Sequence, residues 1–500
     1  NIQSIGGETG AFGYKKWQAA FGRTFGSIDI SASLHKLDSD GLYRYHYFDP
    51  TSDELSARRQ NADLHSKSLF GRLGYSKRAH NAALKVQSFS SDRGTPGKVY
   101  YWTPYARIQS QRQTATVNYS FESEKVHVNA NAGTSVYQSE NQNLRPHIEE
   151  APFGPTPEFH FQNDLAFHNF STAIEHRTRS WLTTFIGYDV NSVAYKDRSM
   201  LVEDAPSIGT AKDHAFGGFI KQEFSHRLNS FRLNVTPVLR YDEAKLNSLS
   251  QHRFERQWNP GLRLFAAHGL AQNVYVRAEA NRGFRMPTFA DLFYQDFRVQ
   301  GKPDLAPEKS INSEIGIGAQ FRAWAVFHFD ASFYRNKIDD MIVWRLGSFE
   351  FFRPYNTDAE LSGSEYSLLL QSPENRVGLD LHYSQLRALN KNDNVTLHNK
   401  MLPYRPHHSY KANIRLAGKH WQTTAGLRGF GRRFITEANT KSMPAYAVLD
   451  WSFEWTLPLK YFKVQWRAAI LNILDERYEI MRDMPLPGRE WRVGVTIRHQ

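Results

Sequence analysis

The sequence predicts an all-β protein, a transmembrane antiparallel β-barrel of about 22 strands with long extracellular loops. Three observations carry that prediction. Apolar and polar residues alternate with period two from end to end, as on a half-buried strand. The alternating runs last about 9–14 residues, against about 5–6 for a typical globular strand. Short turns alternate with long loops, the asymmetry expected between the two sides of an outer-membrane barrel.

The alternation is explicit in individual runs. In "YAVLDWSFEWTLP", Ala447, Leu449, Trp451, Phe453, Trp455 and Leu457 share one face, and Asp450, Ser452, Glu454 and Thr456 take the other. In "AVFHFDASFY", Phe327, Phe329, Ala331 and Phe333 oppose His328, Asp330, Ser332 and Tyr334. The last run sets Trp491, Val493, Val495 and Ile497 against Arg492, Thr496 and Arg498. A helical period fits none of these. The apolar faces carry large aromatics near strand ends and the polar faces carry Arg, Lys, Glu and Asn, which is a lipid-facing outside around a polar lumen. Lipid leaves no unpaired backbone group satisfied, so such strands close into a barrel.

Short links fall at Phe25-Gly26-Ser27, Lys77 to Asn81, Ser123-Glu124, Thr178-Arg179, His226 to Asn229, His268 to Gln272 and Arg322 to Trp324. The rest lie at Pro373-Glu374, Gly418-Lys419 and Pro458 to Tyr461. Between them run longer loops, roughly 38–63, 91–108, 139–163, 197–213, 243–253, 284–309, 345–353, 389–403, 436–445 and 475–489, and a glycine-rich tip is expected near Gly6 to Gly13. An even strand count places both termini on the short-turn side.

Composition agrees. The mean hydropathy of −0.58 and the lack of any long apolar run exclude a membrane-spanning helix. Aromatic residues at 14% argue against disorder. There is no cysteine, which excludes disulfides and thiolate metal sites. The net charge of +12 is dispersed in short pairs such as Arg58-Arg59 and Arg432-Arg433, so nucleic acid is not an expected partner. The first residues, NIQSIGGETG, show neither the basic nor the apolar region of a signal peptide.

The stretch 281–310, "NRGFRMPTFADLFYQDFRVQGKPDLAPEKS", interrupts two good strands with stiff, aromatic, charged chain. Here the sequence resembles the TonB-dependent outer-membrane receptors. "GFRMPTFADLFY" is similar to that family's Phe-Arg-x-Pro box, and "GKPDLAPEKSINSEIGIG" to its Asn-Pro-x-Leu-x-Pro-Glu box. Further similarities follow in order at "SSDRGTPG" (90–97), "NTDAELSGSEY" (356–366), "LPYRPHHS" (402–409) and "LNILDERYEIMRDMPLPGREWRVGV" (471–495). Lys302 and Asp304 depart from the asparagines usual in the second box, and His499-Gln500 replaces the usual terminal aromatic.

The resemblance implies that residues 1–500 are the barrel of a receptor whose plug domain and TonB box lie outside this chain. It implies capture and import of a scarce, bulky solute, a ferric siderophore or cobalamin, with no enzymatic step and no cofactor. The implied partners are the outer-membrane lipid and lipopolysaccharide, the receptor's own plug, the TonB motor acting through that plug, and the small ligand. A passive, porin-like channel and a soluble all-β binding protein remain as alternatives.

Candidate ligand contacts are loop aromatics and cations. They are Tyr43, Arg44, Tyr45 and Tyr47 with His46; Tyr100, Tyr101, Trp102 and Tyr105 with Arg107; and Phe293, Tyr294 and Arg298 with Phe297. Aromatic platforms with arginine suit flat, anionic ligands such as ferric catecholates; the same tyrosines also suit an upper girdle or loop packing. In the wall, Arg285 is expected to face inward and pair with Glu308 or Glu314, because a partly buried charge needs a partner. Pro287, Pro303 and Pro307 are expected to keep the interrupting segment extended.

Metal chemistry is not expected. His407 and His408, as neighbours on a strand, would point to opposite faces. No histidine lies in 281–310 to ligate haem. Asp38 with Asp40, and Glu203 with Asp204, are the carboxylate pairs from which a calcium site could be built.

Overall fold

A computed structural model describes residues 2–48, 54–145, 158–201, 209–248, 252–269, 273–294, 299–346 and 352–499. Among them, twenty-two strands form one sheet in which each strand pairs with its neighbours in sequence, all antiparallel. The first, Ile2–Gly10, pairs with both the second, Lys15–Phe25, and the last, Glu490–His499, which closes the barrel. Strand lengths run from 9 to 21 residues. The longest rise past the hydrocarbon level into the loops.

Ten connections of two to five residues on one side alternate with eleven on the other, most of them longer, and both chain ends lie on the side of the ten. The described tight turns sit where the sequence places them; residues 270–272 of the turn expected at His268 to Gln272 lie outside the described residues. Gly26 at φ +58° and Asn229 at φ +51° take the left-handed conformation that such turns demand. The glycine-rich tip differs from expectation. Gly6 and Gly7 lie inside the first strand, and the turn comes later, at residues 11–14.

Ladder register fixes the two faces. Ile317, Ala331 and Tyr366 stand opposite one another, as do Gly316, Ser332 and Glu365 one residue away. The former row points outward, with Ile317 46% exposed. The latter points into the lumen. Lumen charges are neutralised by one another: Arg277 contacts Glu314 at 3.1 Å and Asp330 through two nitrogens, and Tyr275 Oη donates to Asp330 at 2.6 Å. Gly316 makes room for this network, since a Cβ there would lie 2.7 Å from the Arg277 guanidinium carbon. Buried apolar residues concentrate at the loop ends of the strands and beneath the loops rather than at mid-barrel. Tyr195, Ala211, Leu246, Leu292, Phe293 and Leu305 form the main cluster.

Candidate functional site

Two arrangements stand out on the loop side. The first is the root of the loop between the strands Asn273–Arg285 and Glu308–Arg322. Arg285 and Glu308 face each other at the last ladder position. Arg285 Nε donates to Glu308 at 2.8 Å and its terminal nitrogen to the other carboxylate oxygen at 2.5 Å, a two-pronged ion pair. Glu308 also accepts the Ile342 N–H at 2.7 Å. Glu314 lies lower on the wall and takes Arg277, not Arg285.

The interrupting segment is not wholly extended, as the prolines suggested. Phe289–Phe293 is a short helix with Thr288 as its N-cap. Thr288 Oγ accepts the Asp291 N–H at 3.1 Å, and Asp291 accepts the Thr288 N–H at 2.9 Å, a reciprocal capping box. Asp291 accepts further from Trp344 Nε1 at 2.9 Å and from Arg285 at 3.4 Å. The helix drives Leu292 and Phe293 into the apolar cluster, with Phe293 wholly buried and Tyr195 stacked on Phe289 at 5.5 Å. Phe293 is therefore a packing residue and not a surface for ligand. Asn356 clamps the second box from the next hairpin. Its side chain both accepts from Ala306 N at 2.8 Å and donates to Ala306 O at 3.0 Å.

The second arrangement is a cavity of about 580 Å³ walled by four loops. Tyr45, Tyr47 and Glu54 come from a short ribbon in one loop, in which Arg44–Phe48 pairs with Glu54–Arg58. Tyr100 comes from the next loop, and Tyr446, Tyr478 and Glu479 from the last two. The rings touch in sequence: Tyr45 to Tyr47 at 5.8 Å, Tyr47 to Tyr100 at 6.2 Å edge-on, and Tyr446 to Tyr478 at 4.9 Å. Two buried arginines brace the walls. Arg59 donates to Gly97 O and lies under the Tyr45 ring at 5.7 Å. Arg433 donates to the carbonyls of Glu479 and Ile480 and lies 5.4 Å from the Tyr446 ring. Burial raises the Tyr45 and Tyr478 phenols above their ordinary values, so both present a hydroxyl, not a phenolate. Burial likewise raises Glu479 above the ordinary carboxylate range.

Several expected contacts lie elsewhere. Tyr43 is 7% exposed and its hydroxyl donates to Pro485 O at 2.7 Å, which ties the early loop to the last one. Arg44 is exposed but does not line the cavity. Trp102 pairs with Gly97 in a two-residue ribbon, and Tyr105 is exposed away from the cavity. Arg107 sits at a strand root, bound to Asp63 and Asp92. Tyr294 follows the buried helix, separate from the tyrosine cavity. Phe297, Arg298 and the side chain of Tyr101 lie outside the described residues, as do Glu203 and Asp204.

The charge of the cavity also departs from expectation. Glu54, Glu476, Glu479 and Asp483 line it, against Arg477 and His46, and Arg477 is already paired with Glu54 at 2.5 Å. Arg59 and Arg433, which lie against the tyrosine rings, are buried and bound to backbone carbonyls, and the cavity lining carries more carboxylates than cations, so the site is aromatic and acidic, not aromatic and basic.

His407 and His408 touch, with their ring nitrogens 2.7 Å apart. The alternation rule fails there because His407 precedes the strand, which begins at His408. Burial, then His408 and Arg387, hold His407 below the ordinary histidine range. Asp38 is occupied by Lys36 and His65. Among the described residues, no group of three or more His, Asp or Glu side chains gathers to hold a metal ion.

A closed barrel of this size, lipid-faced outside, braced at an Arg-Pro loop and carrying a loop-walled cavity, defines a large outer-membrane barrel of the receptor class. The chain belongs to the family described as TonB dependent receptor-like, beta-barrel, whose sequence profile matches residues 12–473. It is 29% identical over 245 residues to the vitamin B12 transporter BtuB of Photobacterium profundum, covering 47% of this chain and 37% of that protein. It is 24% identical over 322 residues to the iron-regulated outer membrane virulence protein of Vibrio cholerae serotype O1 (strain ATCC 39541 / Classical Ogawa 395 / O395), covering 56% of this chain and 44% of that protein. These matches span less than half the length of each relative. Among solved structures, the copper transporter OprC superposes with a TM-score of 0.77 at 15% identity, covering 100% of this chain and 80% of that one. BauA, the ferric preacinetobactin receptor from Acinetobacter baumannii, superposes with a TM-score of 0.76 at 11% identity, covering 99% and 79%. These structures share the fold.

Proposed function

We propose that this barrel is the wall and ligand-capturing rim of an outer-membrane receptor that imports a scarce, bulky solute. In this reading residues 1–500 are barrel throughout. A plug domain of the receptor seats against the polar lumen, and the TonB motor acts through that plug. The tyrosine cavity captures the solute. The reading involves no bond-making step, and it rests on the cavity's chemistry. Aromatic faces and phenol hydroxyls among carboxylates favour a large, neutral, amide-rich ligand over an anion, and cobalamin fits that description. The relatives that transport vitamin B12 point the same way. A ferric siderophore is the second reading, supported by the iron-regulated relative.

The test is equilibrium binding to the plug-containing receptor. Truncating Tyr47 and Tyr100 together to alanine is expected to weaken cobalamin binding about 10- to 100-fold, since each lost aromatic contact is worth roughly 1 kcal/mol. Unchanged affinity in that variant would remove the cavity from the account.

The pH dependence separates the two ligands. Glu479 is neutral at a higher pH than an ordinary glutamate, so acidification removes negative charge from the cavity. An anionic ferric chelate is expected to bind more tightly as pH falls through the raised value, and Glu479→Gln to abolish that dependence. Cobalamin affinity is expected to stay flat over the same range.

A further inference from the structure

His407 and His408 take no part in the tyrosine cavity. Among the described residues they are the only two histidine rings in contact, perpendicular at 86° with centroids 4.2 Å apart. His407 Nδ1 lies 2.7 Å from His408 Nε2. A direct contact between two ring nitrogens needs a proton on one and a lone pair on the other. The two nitrogens therefore share one proton and are aimed at a common point.

The backbone beneath the pair is fixed on both sides. Leu386 N–H donates to His407 O at 2.9 Å, and Gly431 N–H donates to His408 O at 2.8 Å. The other nitrogen of His408 is held as well. His408 Nδ1 lies 2.7 Å from Tyr383 Oη, and the two rings stack at 6.0 Å. His408 is exposed and His407 half-buried, at the loop end of the strand His408–Ala417.

A metal ion can take the place of the shared proton. Bonds of about 2.0–2.1 Å to two imidazoles hold the ligating nitrogens roughly 2.9–3.4 Å apart at angles of about 90–109°. The pair at 2.7 Å opens by a few tenths of an ångström to reach that spacing, each ring turning toward the new centre. Each ring then keeps one N–H, so two neutral histidines lose no proton. His408 carries its proton on Nδ1 and donates it to Tyr383 Oη, the kind of outer contact that fixes a ligating tautomer. His407 carries its proton on Nε2.

The donor set decides the class of ion. Both ligands are neutral nitrogens, and among the described residues no carboxylate pairs with either ring. The charged group that bears on His407 is Arg387, itself a cation. Ca²⁺ and Mg²⁺ require oxygen ligands, and find none here. Imidazole suits Zn²⁺, Ni²⁺ and above all Cu²⁺, which accepts a tetragonal set of nitrogen and water. We propose that His407 Nδ1 and His408 Nε2 form a binding site for a divalent transition-metal ion, Cu²⁺ ahead of Ni²⁺ and Zn²⁺, with water in the remaining positions. Tyr383 is its positioning residue.

The test titrates the plug-containing receptor, in detergent, with glycine-buffered Cu²⁺ and reads binding by electron paramagnetic resonance. The wild type is expected to show a copper signal coupled to two imidazole nitrogens. His407→Gln or His408→Gln is expected to weaken that site about 100-fold, since two linked ligands gain at least that much over one. Tyr383→Phe is expected to weaken it about ten-fold while the two-nitrogen signal persists at saturation. His226→Gln, exposed beside a tight turn, is expected to change nothing. Zn²⁺ is expected to compete and millimolar Ca²⁺ not to. The heat-dependent gel shift of a folded barrel and wild-type solute binding establish that the variants are folded; if His408→Gln fails to fold, His407→Gln, outside the strand, gives the same reading. An undiminished two-nitrogen signal in the folded His407→Gln variant, or displacement of Cu²⁺ by Ca²⁺, overturns the proposal. Wild-type copper affinity in Tyr383→Phe overturns the role given to that tyrosine.

Discussion

Replacing Asp291 by alanine is expected to release the loop 286–307 from the barrel wall at a local cost of about 3 kcal/mol. Three donors lose their acceptor, the Thr288 N–H, the Trp344 indole N–H and the Arg285 guanidinium, at about 1 kcal/mol each. Asp291 is only 6% exposed, so water does not replace it. Hydrogen exchange reads the effect directly. Backbone amides of the loop should lose about 100-fold in protection, at about 1.4 kcal/mol per factor of ten, while the barrel strands keep theirs. Asp291→Asn retains an acceptor without the charge and should fall in between. Wild-type protection in the alanine variant would show that the capping box does not hold the loop.

The second large effect concerns the wall. Ile317→Lys places a charge on the outward face, two outward positions below Arg335, among Val276, Ala331 and Tyr366. A lysine near the bilayer midplane of a barrel costs about 2–4 kcal/mol. Ser384→Lys puts the same residue in the lumen opposite Glu365, where water and a carboxylate receive it, and should change stability by less than about 0.5 kcal/mol. Reversible denaturant unfolding in phospholipid vesicles gives both values. Similar costs at the two sites would mean that the two faces meet the same medium.

Much of the fold was legible because a sheet's period is two and a barrel's turns are short. Alternation in "AVFHFDASFY" fixed which residues of that strand face lipid, and the ladder agrees residue for residue. Arg285 and Glu308 could be brought together because both end the strands that flank one loop. The helix at Phe289–Phe293 was missed, although Thr288-x-x-Asp291 is a capping signal in plain view. Three prolines and flanking strands outweighed one helical turn. Asn356 opens a stretch noted for its resemblance, but its clamping role gave no signal, since its partner is a backbone fifty residues earlier.

The tyrosine cavity was half legible. Tyr45, Tyr47 and Tyr100 were singled out for their chemistry, but not Tyr446, Tyr478 or Glu479. Barrel closure supplies the missing link: the first strand lies beside the last, so early loops must meet late ones. The contact between Tyr43 and Pro485 is a consequence of that closure. Its local outcome, an acidic cavity over buried arginines, depends on loop packing that no period encodes. Arg59 and Arg433 stood out only as members of short basic pairs, and both are buried.

Site-directed spin labelling along Val274 to Arg282, in vesicles, probes the medium at each face. Labels at 274, 276, 278 and 280 should collide mainly with oxygen dissolved in the bilayer, and those at 275, 277, 279 and 281 mainly with a water-soluble nickel complex. A strict two-residue oscillation is the predicted result; uniform access to nickel at all these positions would contradict a barrel set in lipid.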